Sequence, residues 1–394
     1  MMSETKGGRT AAPKSALRIL VAHNVPCART GGMSRLMGFI HDEVVAAGHQ
    51  VDYFCAENMP ARLAQRWKRL LFPLYVRRHA RAAASAGRPY DIINVHEPSS
   101  AACVIWRSRL GRPIVIVTTH GVEQRGWELG LEESRLGRAG PEGRARLTWP
   151  LIGQWQCALG LRRATHVFCL NSEDRHYLNQ RMHVPAERIT RIYPGAHSVF
   201  GESARSRDYS RHNRLLFAGT WRKNKGIEDM IPAFIELARR HVDLTLTVLD
   251  WGASTDSIRS NFPAEIRSRI HTATTTDEGG TAKVYADSDI LVMPSLFEGT
   301  PLTLIEAMLS GMPIVTTATC GMKDVIRDEE LGLLVPIRSP DAIVAAVERL
   351  RADQNLREQL GLAAHEEAAQ KYSWRQAAAP VIEVYERLAA TQRS

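Results

Sequence analysis

Glu298 and Glu306 stand eight positions apart in Pro294-Ser-Leu-Phe-Glu-Gly-Thr-Pro-Leu-Thr-Leu-Ile-Glu306, on either side of a Gly-Thr-Pro turn that directly follows the apolar run Asp289-Ile-Leu-Val-Met293. This order predicts a strand, a tight loop and a helix. Thr300 is placed to act as N-cap and Pro301 to take the first helical position, where a missing N–H costs nothing. Glu298 then lies in the loop, and Glu306 lies about one turn into the helix, on the face toward the same crevice. The backbone N–H groups of Gly299 to Thr303, backed by the helix dipole, suit a phosphate. Carboxylates on either side accept hydrogen bonds from hydroxyls, so the combination suits a nucleoside diphospho-sugar. Ordinary acidic capping of a helix start is the competing reading.

Four other loops carry residues able to share in that chemistry. In Ala28-Arg-Thr-Gly-Gly-Met-Ser34, Gly31 and Gly32 allow close backbone approach to a ligand, although such a pair also makes a plain turn. Thr118-Thr-His-Gly-Val-Glu123 puts His120 at a strand tip, in reach of a bound group or simply solvated. His96, in Val95-His-Glu-Pro98, reads equally as a packed histidine of the cleft wall. Phe217-Ala-Gly-Thr-Trp-Arg-Lys-Asn-Lys-Gly226 runs from a strand into a basic loop, whose Arg222, Lys223 and Lys225 suit a diphosphate or form a solvated turn. No Gly-x-Gly-x-x-Gly opens the chain's first helix, which disfavours a nicotinamide or flavin oxidoreductase. No His/Cys cluster has ligand spacing, so neither a metal nor a resident cofactor is expected.

Those loops need strands to carry them, and the alternation of strand and helix patterns occurs twice. The first set of strands is Leu17 to Ala22, Gln50 to Phe54, Asp91 to Val95, Pro113 to Val117 and His166 to Leu170, with a helix from Met33 to Ala47 ended by Gly48. The second is Arg214 to Ala218, Leu244 to Leu249, Ile290 to Met293 and Pro313 to Thr316, with a helix from Ile227 to Arg240. The polar, turn-rich stretch 201–213 reads as a linker between a first domain, 16–200, and a nucleotide-sugar-binding domain, 214–375. The expected fold class is α/β: two facing Rossmann-like domains with a cleft between them. Ligands of open parallel sheets bind outside the carboxyl ends of the strands, which is where these loops fall. Residues 1–15, polar and Gly-rich, read as a disordered start rather than a signal peptide.

A chain of 394 residues, 44% hydrophobic and 24% charged, fits an ordinary two-domain soluble protein. No apolar run approaches the roughly 18 residues of a membrane span. Cys27, Cys55, Cys103, Cys157, Cys169 and Cys320 show no Cys-x-x-Cys spacing and read as free buried thiols in a reducing cytosol. Charge divides unevenly: 28 Lys and Arg against 15 Asp and Glu through residue 200, then 23 against 27. The basic half suits an anionic partner. Residues 59–81 concentrate it in Gln65-Arg-Trp-Lys-Arg-Leu-Leu-Phe-Pro-Leu-Tyr-Val-Arg-Arg78, where Pro73 predicts two short helical pieces. A charged helix packed on the core and reversible attachment to the inner, anionic face of a membrane both fit. Nucleic acid is disfavoured because no nucleic-acid fold accompanies the patch.

Taken whole, Pro294-Ser-x-x-Glu-Gly-x-Pro-Leu-x-x-x-Glu-Ala-Met-x-x-Gly-x-Pro-Ile-Val resembles the signature of the family 4 retaining glycosyltransferases. Thr118-x-His-Gly, Lys225-Gly226, 164–172 with 189–195, and 321–335 extend the resemblance over roughly residues 16 to 390. It implies the GT-B fold, with a last helix, 376–394, crossing back to the first domain. It also implies retaining transfer of a hexosyl group from a UDP- or GDP-sugar to a hydroxyl acceptor in envelope glycan, polysaccharide or glycolipid synthesis. By resemblance Glu306 holds the ribose and Glu298 the sugar hydroxyls. The backbone of Gly299, Thr300, Pro301 and Leu302 binds sugar and phosphate, and Lys225 neutralises the diphosphate. Gly31 and Gly32 lie near the diphosphate, and His120 near the transferred sugar. The family arginine that follows the first glycine of the basic loop is Thr220 here, leaving Arg222 or Lys223 to replace it. A sugar-nucleotide epimerase of the same fold and a non-catalytic protein binding anions or membrane surfaces are the other classes open.

Overall fold

The computed structural model describes residues 16–29, 31–110, 112–138, 140, 149–249 and 252–393; the expected tail, 1–15, lies outside the described residues. Two six-stranded parallel sheets result. The first contains β1 (Arg18–Ala22), β2 (Gln50–Phe54), β3 (Ile92–His96), β4 (Ile114–Thr118), β5 (His166–Cys169) and β6 (Ile189–Arg191), in the order β2-β1-β3-β4-β5-β6. The second contains β7 (Arg214–Ala218), β8 (Thr245–Leu249), β9 (Ile270–Ala273), β10 (Ile290–Met293), β11 (Ile314–Thr317) and β12 (Leu333–Val335), in the order β12-β11-β10-β7-β8-β9. Every residue of β3, β4, β10 and β11 is buried, as expected of strands covered by helices on both faces. The sequence reading missed β6, β9 and β12. All three are edge strands of three or four residues, too short for a hydrophobic pattern to show.

In both sheets the order reverses beside the first strand, so the loops after β1 and β3, and after β7 and β10, part to open a crevice at each carboxyl edge. The helix Trp374–Arg393 returns to the first sheet, where Trp374, Val381 and Tyr385 share a core with Ile19, Leu36 and Ile40. Asn94 at the centre of β3 donates to the Tyr385 hydroxyl at 2.8 Å. The polar stretch read as a linker is anchored: Arg207 donates to the carbonyls of Ser310, Ser288 and Tyr285 at 2.9, 2.8 and 2.8 Å.

Two expectations fail here. Pro73 does not divide its segment, which is a single helix, Gln65–Ser85. Phe72, Val76 and Ala80 are buried in one core with Phe54 and Tyr90, and this packing carries the helix through the lost main-chain bond. The six cysteines are not all free: Cys27, which is exposed, and Cys55 form a disulfide with Cα atoms 5.7 Å apart, while Cys103, Cys157, Cys169 and Cys320 are free and buried. The loops leaving the adjacent strands β1 and β2 meet although the residues are 28 positions apart. With that pair the cysteine argument for a reducing compartment falls away. No described helix is long and apolar enough to cross a membrane.

Candidate functional site

The loops after β1, β4, β7 and β10 meet between the sheets around a cleft of about 260 Å³. Gly31, Gly32, Arg35 and His120 line it from the first half, and Thr220, Lys225, Glu298 and residues 299–303 from the second. The helix of the acidic motif is Leu302–Leu309, with Pro301 rather than Thr300 at its N-cap. The Thr300 hydroxyl donates instead to the Leu170 carbonyl of the facing sheet, a stronger claim on it than capping. The N–H groups of Gly299, Thr300, Leu302 and Thr303 make no hydrogen bond among the described residues. They form the cradle of free donors that a helix start supplies to an anion. A Cβ on Gly299 would stand 2.7 Å from Leu170 Cδ1 and 2.9 Å from the His120 carbonyl oxygen, so only glycine lets this loop sit against the first sheet.

Lys225 reaches the cradle because Gly226, at φ 78°, turns the basic loop sharply; a Cβ there would fall 1.9 Å from the Pro294 carbonyl oxygen. The Lys225 ammonium pairs with Glu298, whose Oε1 also accepts from Ser295 Oγ at 3.1 Å. Arg222 is exposed and outside the cleft wall. Lys223 is also exposed and lies 3.5 Å from Glu228. Neither lines the cleft beside Thr220, and Lys223 faces the neighbouring cavity.

Glu306 is 1% exposed and lies behind the cleft wall rather than in it. Burial raises the pKa of its carboxyl, and Arg35 of the first domain, which pairs with it, opposes the rise. Tyr285 completes the environment, its hydroxyl donating to Oε2 at 3.1 Å. Arg35 was absent from the sequence reading. Its position in the first turn after Gly31-Gly32 was the available signal.

His120 Nε2 lies 2.7 Å from His96 Nδ1. Burial, reinforced by His23, lowers His120 to about 3, and burial with His120 and His23 lowers His96 well below its usual value. Both imidazoles are neutral at pH 7 and offer hydrogen bonds rather than charge. Beside them burial and Glu123 push Glu97 up to about 8. A second cavity of about 440 Å³ opens along the helix Glu123–Arg135, with Trp127, Asn224 and Phe297 in its walls. It shares only His120 and Glu298 with the cleft.

Contrary to the reading of spacing, the ligating atoms of His23, Cys27 and Cys55 come within 4.8 Å of one another. The two sulfurs are bonded to each other and so do not offer the thiolates that a metal needs. Asp287-Ser-Asp289 lies at the opposite, amino end of β10, where Asp289 accepts from the N–H groups of Asn213 and Arg214 at 2.9 Å each.

Two doubly wound sheets facing across a cleft, with an anion cradle on one wall, define a two-domain α/β protein of the GT-B fold. Residues 202–367 match the model of the glycosyl transferases group 1, and residues 30–198 that of glycosyltransferase family 4. The chain belongs to the family 4, group 1 glycosyltransferases. It is 28% identical to the alpha-D-kanosaminyltransferase of Streptomyces kanamyceticus over 239 residues, 58% of this chain and 61% of that one. It is 23% identical to the phosphatidyl-myo-inositol mannosyltransferase of Mycobacterium leprae over 313 residues, 77% and 75% of the two chains. Three of the curated relatives are matched over only 44% to 61% of their own length. The fold is similar to that of the sucrose-phosphate synthase of Thermosynechococcus elongatus, with a TM-score of 0.73 at 20% identity, over 95% of this chain and 100% of that one.

Proposed function

We propose that the protein transfers a hexosyl group, with retention, from a UDP- or GDP-sugar to a hydroxyl acceptor. The observation that carries this reading is the set of free amides at 299–303 facing the Lys225–Glu298 ion pair in one cleft. A diphosphate accepts from those amides and takes Lys225 from Glu298. Glu298, released, accepts from sugar hydroxyls, and Glu306 from the ribose. As the bond from the anomeric carbon to the β-phosphate oxygen breaks, charge grows on the diphosphate, where preoriented amides and a cation stabilise it better than water does. The acceptor oxygen enters from the second cavity past neutral His120, bonds to the same face of the anomeric carbon, and passes its proton to the departing phosphate.

A lipid-linked acceptor in envelope glycan, polysaccharide or glycolipid synthesis is supported by the basic helix Gln65–Ser85, which exposes Trp67 (47%) and Leu74 (44%). It is supported also by a relative named for transfer to phosphatidyl-myo-inositol. On this reading the protein works at the cytoplasmic face of a membrane, and no described helix is long and apolar enough to cross one. The test is a thermal-shift panel with UDP, GDP, ADP and their sugar conjugates, followed by a hydrolysis and transfer assay. A true donor nucleotide at about 100 times its Kd stabilises the fold by roughly 2.7 kcal/mol. Equal or absent responses across the panel oppose the donor site, and selective binding without any turnover favours a non-catalytic protein.

A further inference from the structure

A cation stands in the cleft wall that faces Thr220 and Lys225. Arg35 lies in the first turn of the helix Gly32–Ala46 and lines the same cleft as Thr220 and Lys225. Its side chain is 9% exposed and crosses from the first domain to the second. Nε and Nη2 donate to the two Glu278 carboxylate oxygens at 3.1 and 2.6 Å, and Nη2 also pairs with Glu306. Nη1 makes no hydrogen bond among the described residues. A guanidinium gripped along one edge holds its remaining N–H groups in a fixed direction.

Charge explains the arrangement and its exchange. A carboxylate as buried as Glu306 is costly without a counter-charge, and Arg35 is that counter-charge while the cleft is empty. Ribose hydroxyls donating to Glu306 relieve it of that need, while Glu278 keeps the guanidinium at the cleft. We propose that Arg35 is the second cation of the diphosphate clamp, acting with Lys225 from the facing domain and steered by Glu278, and that it yields Glu306 to the ribose when a nucleoside diphosphate enters. This rests on the donor-site reading above. It gives each domain one cation on the same diphosphate, so that binding the ligand draws the domains together.

Calorimetric titration of wild type, Arg35→Met, Arg35→Lys and Arg222→Ala with UDP, GDP, ADP and the three matching nucleosides tests it. The diphosphate that wild type binds most tightly serves for the comparison. Arg35→Met is expected to weaken that diphosphate by roughly tenfold or more and its nucleoside by less than about twofold, with Arg222→Ala unchanged. Equal weakening of both ligands, or tighter diphosphate binding, overturns the proposal, because Arg35 then acts only through Glu306. A diphosphate-selective loss in Arg222→Ala alone assigns the clamp to Arg222 instead. Should Arg35→Met not fold, Arg35→Lys decides: selective weakening of about threefold from the lost planar fork supports the proposal, and no change sinks it. Wild type binding none of the three removes the donor-site reading and this inference together, whereas an unchanged Arg35→Met removes the inference alone.

Discussion

Glu298 and Lys225 hold each other in the empty cleft, and a donor must separate them. That exchange makes the two acidic residues of the motif behave differently on substitution. Glu298→Gln keeps a hydroxyl-binding amide but lacks the charge, so nucleoside diphosphate affinity is expected to stay within about threefold while kcat falls by roughly 10- to 100-fold. Glu306→Gln is expected to weaken the nucleoside itself by about tenfold, because a carboxylate accepts ribose hydroxyls more strongly than an amide does. Steady-state kinetics beside titration with the bare nucleoside separates the two, and wild-type values in both variants would remove these residues from the site. Glu298, Lys225, the 299–303 amides and His120 were legible in the sequence because each sits in a short local pattern at a strand end. Arg35 and Glu278 were not, since their meeting joins positions 243 apart and no local pattern encodes it. His120 lines the cleft, and its neutral pairing with His96 depends on burial that spacing does not report.

At the scale of elements, strands buried on both faces announced themselves as apolar runs, and so did the five-residue edge strand β2, whereas the edge strands β6, β9 and β12, of three or four residues, did not. Pro73 shows the opposite error, a local breaker overruled by the packing of its neighbours. The resulting continuous helix changes the membrane argument. Trp67, Leu74, Arg78 and Arg81 recur at helical spacing and are all exposed, so one face presents aromatic, aliphatic and basic groups together. Arg77 stands apart, its guanidinium stacked 4.3 Å above the Trp106 ring, and the side chains of Arg66 and Arg69 lie outside the described residues. Flotation with anionic vesicles is expected to recover the protein at low salt and lose it at high salt, each basic group at the surface contributing on the order of 1 kcal/mol. Arg62, Lys68, Arg78 and Arg81 changed together to Gln should abolish recovery. Absence of binding at low salt would point to a soluble acceptor.

Across the whole molecule the halves are joined by the returning helix Trp374–Arg393 and, around the cleft, by polar contacts. Asp324 accepts from the Ser172 N–H at 2.5 Å, Arg138 meets Asp229 at 2.9 Å, and Arg338 meets Glu133 at 2.5 Å. Leu302 adds an apolar contact, buried in one core with Leu36 and Leu170 of the first half, so opening the cleft costs that burial as well as the polar contacts. The cores beneath it carry a different liability, a group of buried histidines. Burial lowers His41, His120 and His166 to about 4, 3 and 4, and lowers His23 and His96 as well. Such groups take up protons on unfolding, so their contribution is fully present above about pH 6.5 and is lost as the pH falls toward their folded values. Glu97 runs the other way: raised to about 8, it favours the folded state at low pH and loses that contribution as the pH rises from its ordinary range through 8. Between pH 6 and 5 the histidines outnumber it. Each titrating group contributes at most about 1.4 kcal/mol per pH unit, so His41, His120 and His166 set against Glu97 alone give a net loss of about 2 to 3 kcal/mol per unit, to which His23 and His96 add. Melting temperatures at pH 7, 6 and 5 should fall with increasing steepness, and His166→Asn should shallow the slope without touching the cleft. A melting temperature that holds constant from pH 7 to 5 would mean that these imidazoles gain their protons in the folded protein.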